Sequence, residues 1–464
     1  MKQQAIFILL TILVGLTLIA FSYPVKQNGQ KNYKKYCATC HGADLQGGLS
    51  ESLVDGNWQF GGDDPDIISN IKNGIEKSGM PSFRKTLNDS EINDIIAFIR
   101  EKEKNQTLPE YKIENVVSTF DYDVNVELVS DEISEPWGID FITASQALIT
   151  EKSGRVRIIE NGKLSPKTIQ GTPKVLYAGQ GGLLDVAVDP EYEINGWIYL
   201  SYSHEIDGKG MTKLVRGKIN KNKWSSEEVI FEAPAKYYID TRHHFGSRIV
   251  FDNKGHLFFS IGDRGKRNNA QDLTKPNGKI HRINKDGSIP TDNPFVGDKN
   301  KFQTIYAYGN RNAQGLSINP KTGDLWESEH GQKGGDEINI IKSGKNYGWD
   351  KITYGRNYDG SVSSEKVKMP GMEIPILFWR PSIAVCGIDF YEGDLFEKWD
   401  NHLIVGALKF EEVRLLDIED NRVIHQETIL KDAGRVRDVC SAPDGSIYVL
   451  LNDPDKIVRL TPED

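Results

Sequence analysis

Apolar residues follow three different rhythms along this chain. From Ala5 to Phe21 they form one nearly unbroken run. Near residue 90 they adopt helical spacing: Ile92, Ile95, Ile96 and Ile99 fall at i, i+3, i+4 and i+7, one face of a helix. Asn88 is placed to cap that helix, with Glu91 three residues on, the pattern of a capping box. Residues 27–37 predict a further short helix. Beyond about residue 115 no helical pattern of any length appears. A phrase recurs instead, an Asp/Pro/Gly turn followed by an alternating strand. It occupies residues 189–201, 252–260, 319–328 and 442–450. Small antiparallel sheets repeated a few tens of residues apart predict a β-propeller. The stretch suits roughly six blades of around 55–60 residues. A large double sandwich is the alternative.

The rhythms divide the chain. Residues 1–22, with Lys2 before the apolar run and Ala20-Phe21-Ser22 after it, read as a signal peptide or a membrane anchor. Either way the body of the chain is expected to be exported, to the periplasm or the outer face of the cytoplasmic membrane. Residues 24–108 form a small all-α domain, 109–120 a linker, and 121–464 the all-β domain. The polar, charged stretch 101–110 marks the change. Composition adds little beyond this. It is 38% hydrophobic and 27% charged, and the net charge of −9 argues against nucleic acid or an anionic membrane surface as partner.

Cysteine changes the picture. Two of the four cysteines stand in Cys37-Ala38-Thr39-Cys40-His41, a C-x-x-C-H pattern. Two thiols one helical turn apart reach the two vinyl groups on one porphyrin edge, and the adjacent histidine lies under the ring. The spacing therefore predicts covalent haem c, held by Cys37 and Cys40 with His41 on the iron. A zinc site would need a second Cys/His pair nearby, and the next cysteine is Cys386. Met80, in Gly79-Met80-Pro81, stands isolated on a loop before the capped helix. A thioether there would complete His/Met ligation and raise the reduction potential. Together these motifs resemble class I cytochrome c domains across the whole segment, which implies one-electron transfer. Export permits disulfides, so Cys386 and Cys440 are either a disulfide or two buried thiols.

In the β-domain, charged residues stand where turns are expected. His243-His244 and Arg248 precede one strand, and Arg311-Asn312 another. Lys409 follows the apolar strand 403–408, and Arg435 and Arg437 lie at i, i+2 on one side of an extended segment. Propeller geometry would converge these places on one mouth, a cationic cluster suited to a polyanionic ligand.

The same residues carry a resemblance. Gln180-Gly-Gly-Leu-Leu184, His244-Phe-Gly-Ser-Arg248, Ile261-Gly-Asp-Arg-Gly265, Arg311-Asn-Ala-Gln-Gly-Leu316, Glu329-His-Gly331, Gly335-Asp-Glu-Ile-Asn339, Asn346-Tyr-Gly-Trp349, Gly406-Ala-Leu-Lys409 and Arg435-Val-Arg-Asp438 occur in order. Over residues 130–464 they resemble the soluble aldose (glucose/sorbosone) sugar dehydrogenases that use pyrroloquinoline quinone. The resemblance implies a six-bladed propeller, a bound quinone with Ca²⁺, and oxidation of a sugar hydroxyl. By the same resemblance His244 is the general base. Arg311 and Asn312 hold the quinone, with Arg311 stabilising charge on its oxygen. Gln180 contacts its edge, and Lys409, Arg435 and Arg437 bind its carboxylates. The backbone carbonyls of Gly331 and Gln332 hold calcium, and Asp336 and Tyr347 brace that loop. Three residues depart from the glucose-oxidising pattern: His243 replaces an acidic residue, Asn268 a glutamine and Gln332 a proline. The first two leave the sugar open, and a backbone ligand tolerates the third.

The expectation is an exported quinohaemoprotein that oxidises a sugar and passes electrons to its own haem, and from there to a cytochrome or oxidase. A propeller that only transfers electrons or binds carbohydrate is the alternative. A calcium-dependent lactonase is a third reading, for which three convergent cations have no use.

Overall fold

The computed structural model describes residues 28–105, apart from 46, 48, 49, 51, 55–57, 59, 76 and 77, and residues 113–463. The apolar run 5–21 and the stretch 106–112 lie outside the described residues. Among the described residues no helix is long and apolar enough to cross a membrane. The chain separates into two compact units, Met1–Glu110 and Tyr111–Asp464.

The first unit is helical. Helix α1 covers described residues 28–36, α2 is Ala38–His41, α3 is Asp64–Asn73 and α4 is Asp89–Lys104. The capping box at α4 is present: the Asn88 side chain accepts from Glu91 N–H at 3.0 Å, and Glu91 accepts from Asn88 N–H at 2.9 Å. The predicted face of α4 is its core face, with Ile92, Ile95, Ile96 and Ile99 buried beside Phe98. They pack with Tyr33 of α1 and with Ile67 and Ile71 of α3.

The second unit is a propeller of six sheets. The innermost strands are Pro136–Thr143, Leu183–Val188, Ile249–Phe251, Ala313–Ile318, Val385–Phe390 and Arg435–Ser441, for blades 1 to 6. They are buried along most of their length because both faces pack. The ring closes within blade 6, where Asp123–Ser130 pairs antiparallel with the last strand, Lys456–Pro462, placing Val126 opposite Leu460. Chain ends thus meet in one sheet, and no blade is left with an open inner edge.

Neighbouring blades are joined by one repeated device. A short polar side chain on one innermost strand accepts a backbone N–H of the next blade. Asp140 takes Val188 N–H at 2.6 Å, Asp185 takes Ile249 at 2.7 Å, and Ser317 takes Phe390 at 3.3 Å. Asp389 takes Ser441 at 2.9 Å, and Asp438 takes Ile139 at 3.2 Å, which joins blade 6 to blade 1. Between blades 3 and 4 the Ser260 hydroxyl donates to Ala313 O at 3.1 Å. Gly138 and Gly387 leave room for this, since a Cβ on either would run into Asp185 or Asp438.

Arg248, at the start of blade 3, lies at the centre. Its Nη1 reaches Asp185 of blade 2 at 2.9 Å and Asp438 of blade 6 at 2.8 Å. Nε donates to Gln314 O of blade 4 at 3.0 Å, and the guanidinium lies 4.5 Å from the Trp137 ring of blade 1. Arg248, Asp185 and Asp438 are 6, 2 and 4% exposed. Removing one partner of such a group leaves buried charge uncompensated. Arg248→Met is therefore expected to lower unfolding stability by about 3–5 kcal/mol. The exposed Arg422→Met should change it by less than about 0.5 kcal/mol. Chemical denaturation of both variants checks this, and an Arg248→Met loss no larger than the control would contradict it.

Candidate active site

The first unit gathers the C-x-x-C-H residues at the end of its core. Helix α2 has no buried residue of its own. Tyr33, fully buried, donates its hydroxyl to Gly42 O at 2.7 Å and to His41 O at 3.2 Å, fixing the backbone where the motif ends. Cys37, Cys40 and His41 are half-buried. Met80 is also half-buried, on a loop closed by paired hydrogen bonds to Ile75, 3.1 Å and 2.9 Å long. Cys37, Ala38, Leu53, Trp58, Ile68, Met80 and Phe83 all border the core without being enclosed by it. Apolar side chains collected beside two thiols and an imidazole fit a flat apolar ring, which would cover them.

In the second unit, antiparallel alternation puts two sets of loops at one end of the channel. These are the loops leading into the innermost strands and the loops between each blade's second and third strands. Gln180, His244, Arg311 and Arg435 are on the first set. Asp263, Gly331–Gln332, Lys409 and Asp453 are on the second.

His244 has a left-handed backbone (φ +57°), uncommon outside glycine and a frequent feature of functional sites. Its N–H donates to Gln180 Oε1 at 2.7 Å, and its Nδ1 lies 2.7 Å from Asp263 Oδ1. Asp263 is 1% exposed. It also receives Gly265 N–H at 2.7 Å and Trp349 Nε1 at 2.8 Å, while its own N–H donates to Arg311 O. Burial pushes the Asp263 carboxyl up, but the facing His244, Arg311 and the Trp349 N–H outweigh it and hold it down at about 2. The His244 side chain is 13% exposed. Burial, then Arg311, pull its pKa below the ordinary imidazole value, and Asp263 opposes them. With Nδ1 engaged by a carboxylate, Nε2 is the atom left to exchange a proton.

Arg311 is buried, with Nη1 donating to His330 O at 3.0 Å and Nη2 3.4 Å from the Tyr358 hydroxyl. Its backbone N–H, and that of Asn312, donate to Glu329. Asn312 Oδ1 accepts Gly246 N–H at 3.1 Å, tying this segment to the His244 loop. Thus Gln180, His244, Arg311 and Asn312 form one connected set.

Arg435 and Arg437 form a second. Arg435 is buried, 3.4 Å from Asp453. Arg437, half-buried, donates to Asn452 Oδ1 at 3.1 Å and lies 3.5 Å from Cys386 Sγ. Lys409 is exposed, and among the described residues no hydrogen bond or ion pair ties its ammonium to either set. Cys386 and Cys440 are separate thiols, the first fully buried.

Gly331 and Gln332 lie in a tight loop closed by Gly334 and Gly335, both at positive φ. Asp336 braces it as expected, accepting Gly331 N–H at 2.8 Å and Val385 N–H at 3.1 Å. The Tyr347 hydroxyl donates to Ile340 O at 2.6 Å. Among the described residues no group of three His, Cys, Asp or Glu side chains is placed to hold a metal. Gln332 Oε1 is buried without a partner, so oxygen donors of amide type are what this loop can offer a cation.

Sequence reasoning assigned no role to Asp263, although it lies in a quoted motif, because nothing local distinguishes a buried aspartate from a turn residue. It also missed His330, Trp349 and Tyr358, and it grouped Arg248 with the mouth cations, where the structure neutralises it against Asp185 and Asp438.

A family model described as "Glucose / Sorbosone dehydrogenase" matches residues 133–459, and one described as "Cytochrome C oxidase, cbb3-type, subunit III" matches residues 24–99. The aldose sugar dehydrogenase YliI of Escherichia coli (strain K12) is 40% identical over 348 residues, covering 73% of this chain and 93% of that protein. Quinoprotein glucose dehydrogenase B of Acinetobacter calcoaceticus is 25% identical over 401 residues, covering 68% and 82%. The apo-form crystal structure of the soluble aldose sugar dehydrogenase from Escherichia coli aligns with a TM-score of 0.69 at 37% identity, covering 73% of this chain and all of that one. The chain thus belongs to the glucose/sorbosone dehydrogenase family, as a sugar-oxidoreductase propeller fused to a cytochrome c domain.

Proposed function

We propose that this protein is an exported quinohaemoprotein that oxidises an aldose or related sugar hydroxyl with pyrroloquinoline quinone and Ca²⁺ and passes the electrons to its own haem c. The observation that carries the reading is the His244–Asp263 pair set among Arg311, Arg435 and Arg437. It is a neutral imidazole base beside groups suited to a polyanion. The quinoprotein among the relatives supports the choice of cofactor. When bound, the quinone supplies a two-electron acceptor that calcium polarises.

The chain's own residues then have separable tasks. His244 takes the proton of the sugar hydroxyl on Nε2, and Asp263 holds the ring in the matching tautomer. The Arg311 guanidinium lies where it can stabilise negative charge on the acceptor oxygen, in a buried setting that strengthens the effect. Arg435, Arg437 and Lys409 match carboxylates in charge, the arginines bidentately. Asn312 and Gln180 fix the loops on either side of His244. The carbonyls of Gly331 and Gln332 would hold the calcium. In the first unit Cys37 and Cys40 would anchor the haem by thioether bonds, and His41 and Met80 would ligate its iron. A tethered one-electron acceptor has a high effective concentration for a two-electron donor. Onward transfer goes to a cytochrome or oxidase.

Full-length protein reconstituted with pyrroloquinoline quinone and Ca²⁺ should turn its haem ferrous when given an aldose, read as growth of the reduced absorption bands. No reduction across a panel of aldoses and sugar alcohols would sink the proposal. His244→Ala should lower turnover by about 10²–10⁴-fold without altering the haem spectrum. Because burial and Arg311 hold the His244 pKa down, wild-type kcat/KM should fall only as pH drops below the ordinary value of about 6.5. Asp263 opposes that shift, so Asp263→Asn should move the acid limb to still lower pH as well as slow turnover. A pH profile that Asp263→Asn leaves unchanged would remove Asp263 from this role. Met80→Ala should lower the haem midpoint potential while sugar oxidation with an artificial acceptor continues. An unchanged potential would exclude Met80 as ligand.

A further inference from the structure

Three buried side-chain atoms at the mouth have no hydrogen-bond partner among the described residues: His243 Nδ1, His330 Nε2 and Gln332 Oε1. A buried polar atom left unpaired is costly, so its presence in a pocket points to a ligand that completes it. The Gln332 amide can exchange its oxygen and nitrogen by turning over, which weakens its testimony. His243 stacks edge-on against His244, with ring centroids 4.7 Å apart, and Gly265 closes its far side. His330 is the most tightly defined.

His330 is 7% exposed. Its N–H donates to Asn312 O at 3.2 Å, and its carbonyl accepts Arg311 Nη1 at 3.0 Å. Glu329 before it receives the Arg311 and Asn312 N–H groups, and Gly331 after it is pinned by Asp336. The backbone therefore has no freedom to swing the ring away. The ring lies in the field of Arg311, Arg437 and His244, and it hydrogen-bonds the Val385 backbone. Nε2 is the atom without a partner, so the Val385 contact engages Nδ1. In a neutral imidazole that leaves Nε2 as a hydrogen-bond acceptor. It is an acceptor surrounded by cations, at the point where blades 4, 5 and 6 meet.

We propose that His330 is a cofactor-positioning residue whose Nε2 accepts a hydrogen bond from an N–H or O–H group of the bound quinone. The inference rests on the reading of the mouth as a quinone site. A position kept only for packing would be filled as well by leucine, with no unpaired atom.

The test uses full-length protein freed of quinone, as wild type, His330→Leu and His330→Gln. Pyrroloquinoline quinone is titrated in, and its bound absorption spectrum gives affinity without turnover. Melting temperatures of the quinone-free proteins are measured in parallel. His330→Leu is expected to weaken quinone binding roughly five- to ten-fold and to shift the bound spectrum. Its quinone-free melting temperature should change little, because removing the unpaired atom offsets the loss of the Val385 contact. His330→Gln, which keeps an acceptor, should retain most of the affinity. A leucine variant that binds quinone as tightly as wild type overturns the inference. So does a loss of affinity that tracks a lower melting temperature and is not recovered by glutamine. Wild-type protein that takes up no quinone overturns instead the reading of the mouth.

Discussion

A single guanidinium in the channel constrains everything above it. Arg248 cannot sit where it does unless two carboxylates accompany it, and those come from two other blades, Asp185 from blade 2 and Asp438 from blade 6. The residues it joins are near-neighbours in sequence of the residues proposed to carry the chemistry. His244 is four residues before Arg248, Arg311 and Asn312 lead into Gln314, and Arg435 and Arg437 lead into Asp438. Each loop at the mouth therefore begins from a backbone already fixed by the same ion cluster. Electrostatic stabilisation of a transition state works only if donors do not reorganise during the reaction. The cluster supplies that rigidity one layer below the site.

Buried charge is treated differently at different depths. Lys279 is fully buried with no carboxylate partner, and three carbonyl oxygens, those of Asn269, Ala270 and Asn277, surround its ammonium at 2.7–3.0 Å. Burial lowers its pKa to about 7. Arg264, also fully buried, donates to the carbonyls of His243 and Thr241 and lies over the Phe245 ring. Both stiffen the segments flanking His244 and Asp263 without adding a competing anion. Nearer the mouth the pattern reverses: Asp263 is fully paired while His330 and His243 keep an unpaired nitrogen.

The fold was legible where structure is local. The i, i+3, i+4, i+7 isoleucines and the Asn88/Glu91 box specify α4 from within sixteen residues. The Asp/Pro/Gly turns followed by alternation announce four of the six blades, because turn chemistry and period are properties of short stretches. Ring closure was not legible. Val126 and Leu460 are at opposite ends of the second unit, and no local signal says that a strand before blade 1 completes blade 6. The site shows the same division. His244, Arg311 and Arg435 attract attention as charged residues at turns. Arg248 looks identical to them in sequence, and only the positions of Asp185 and Asp438 reveal that it is neutralised in the channel. Asp263 was invisible for the converse reason: its importance lies in facing a histidine nineteen residues away, across a loop whose course the sequence does not encode locally.

The net charge of −9 conceals the electrostatics that matter. The acidic excess lies almost wholly in the second unit, and the part of it on solvated side chains is screened within about 10 Å at moderate salt. At the mouth Arg311, Lys409 and the pair Arg435 and Arg437 come from three segments that are apart in sequence, and Asp453 is the carboxylate paired with Arg435. Low-dielectric walls focus such a field along the channel axis. A chain that repels polyanions over most of its surface can still draw a small one to this end. The first unit shows no such concentration: its core is apolar, and its chemistry depends on thiols and an imidazole beside half-buried hydrophobic side chains. A group captured by charge can be exchanged with solution, whereas a group fixed through Cys37 and Cys40 cannot. On the proposed function the two units would retain a redox group by opposite physical means, and the difference follows from which residues each core leaves uncovered.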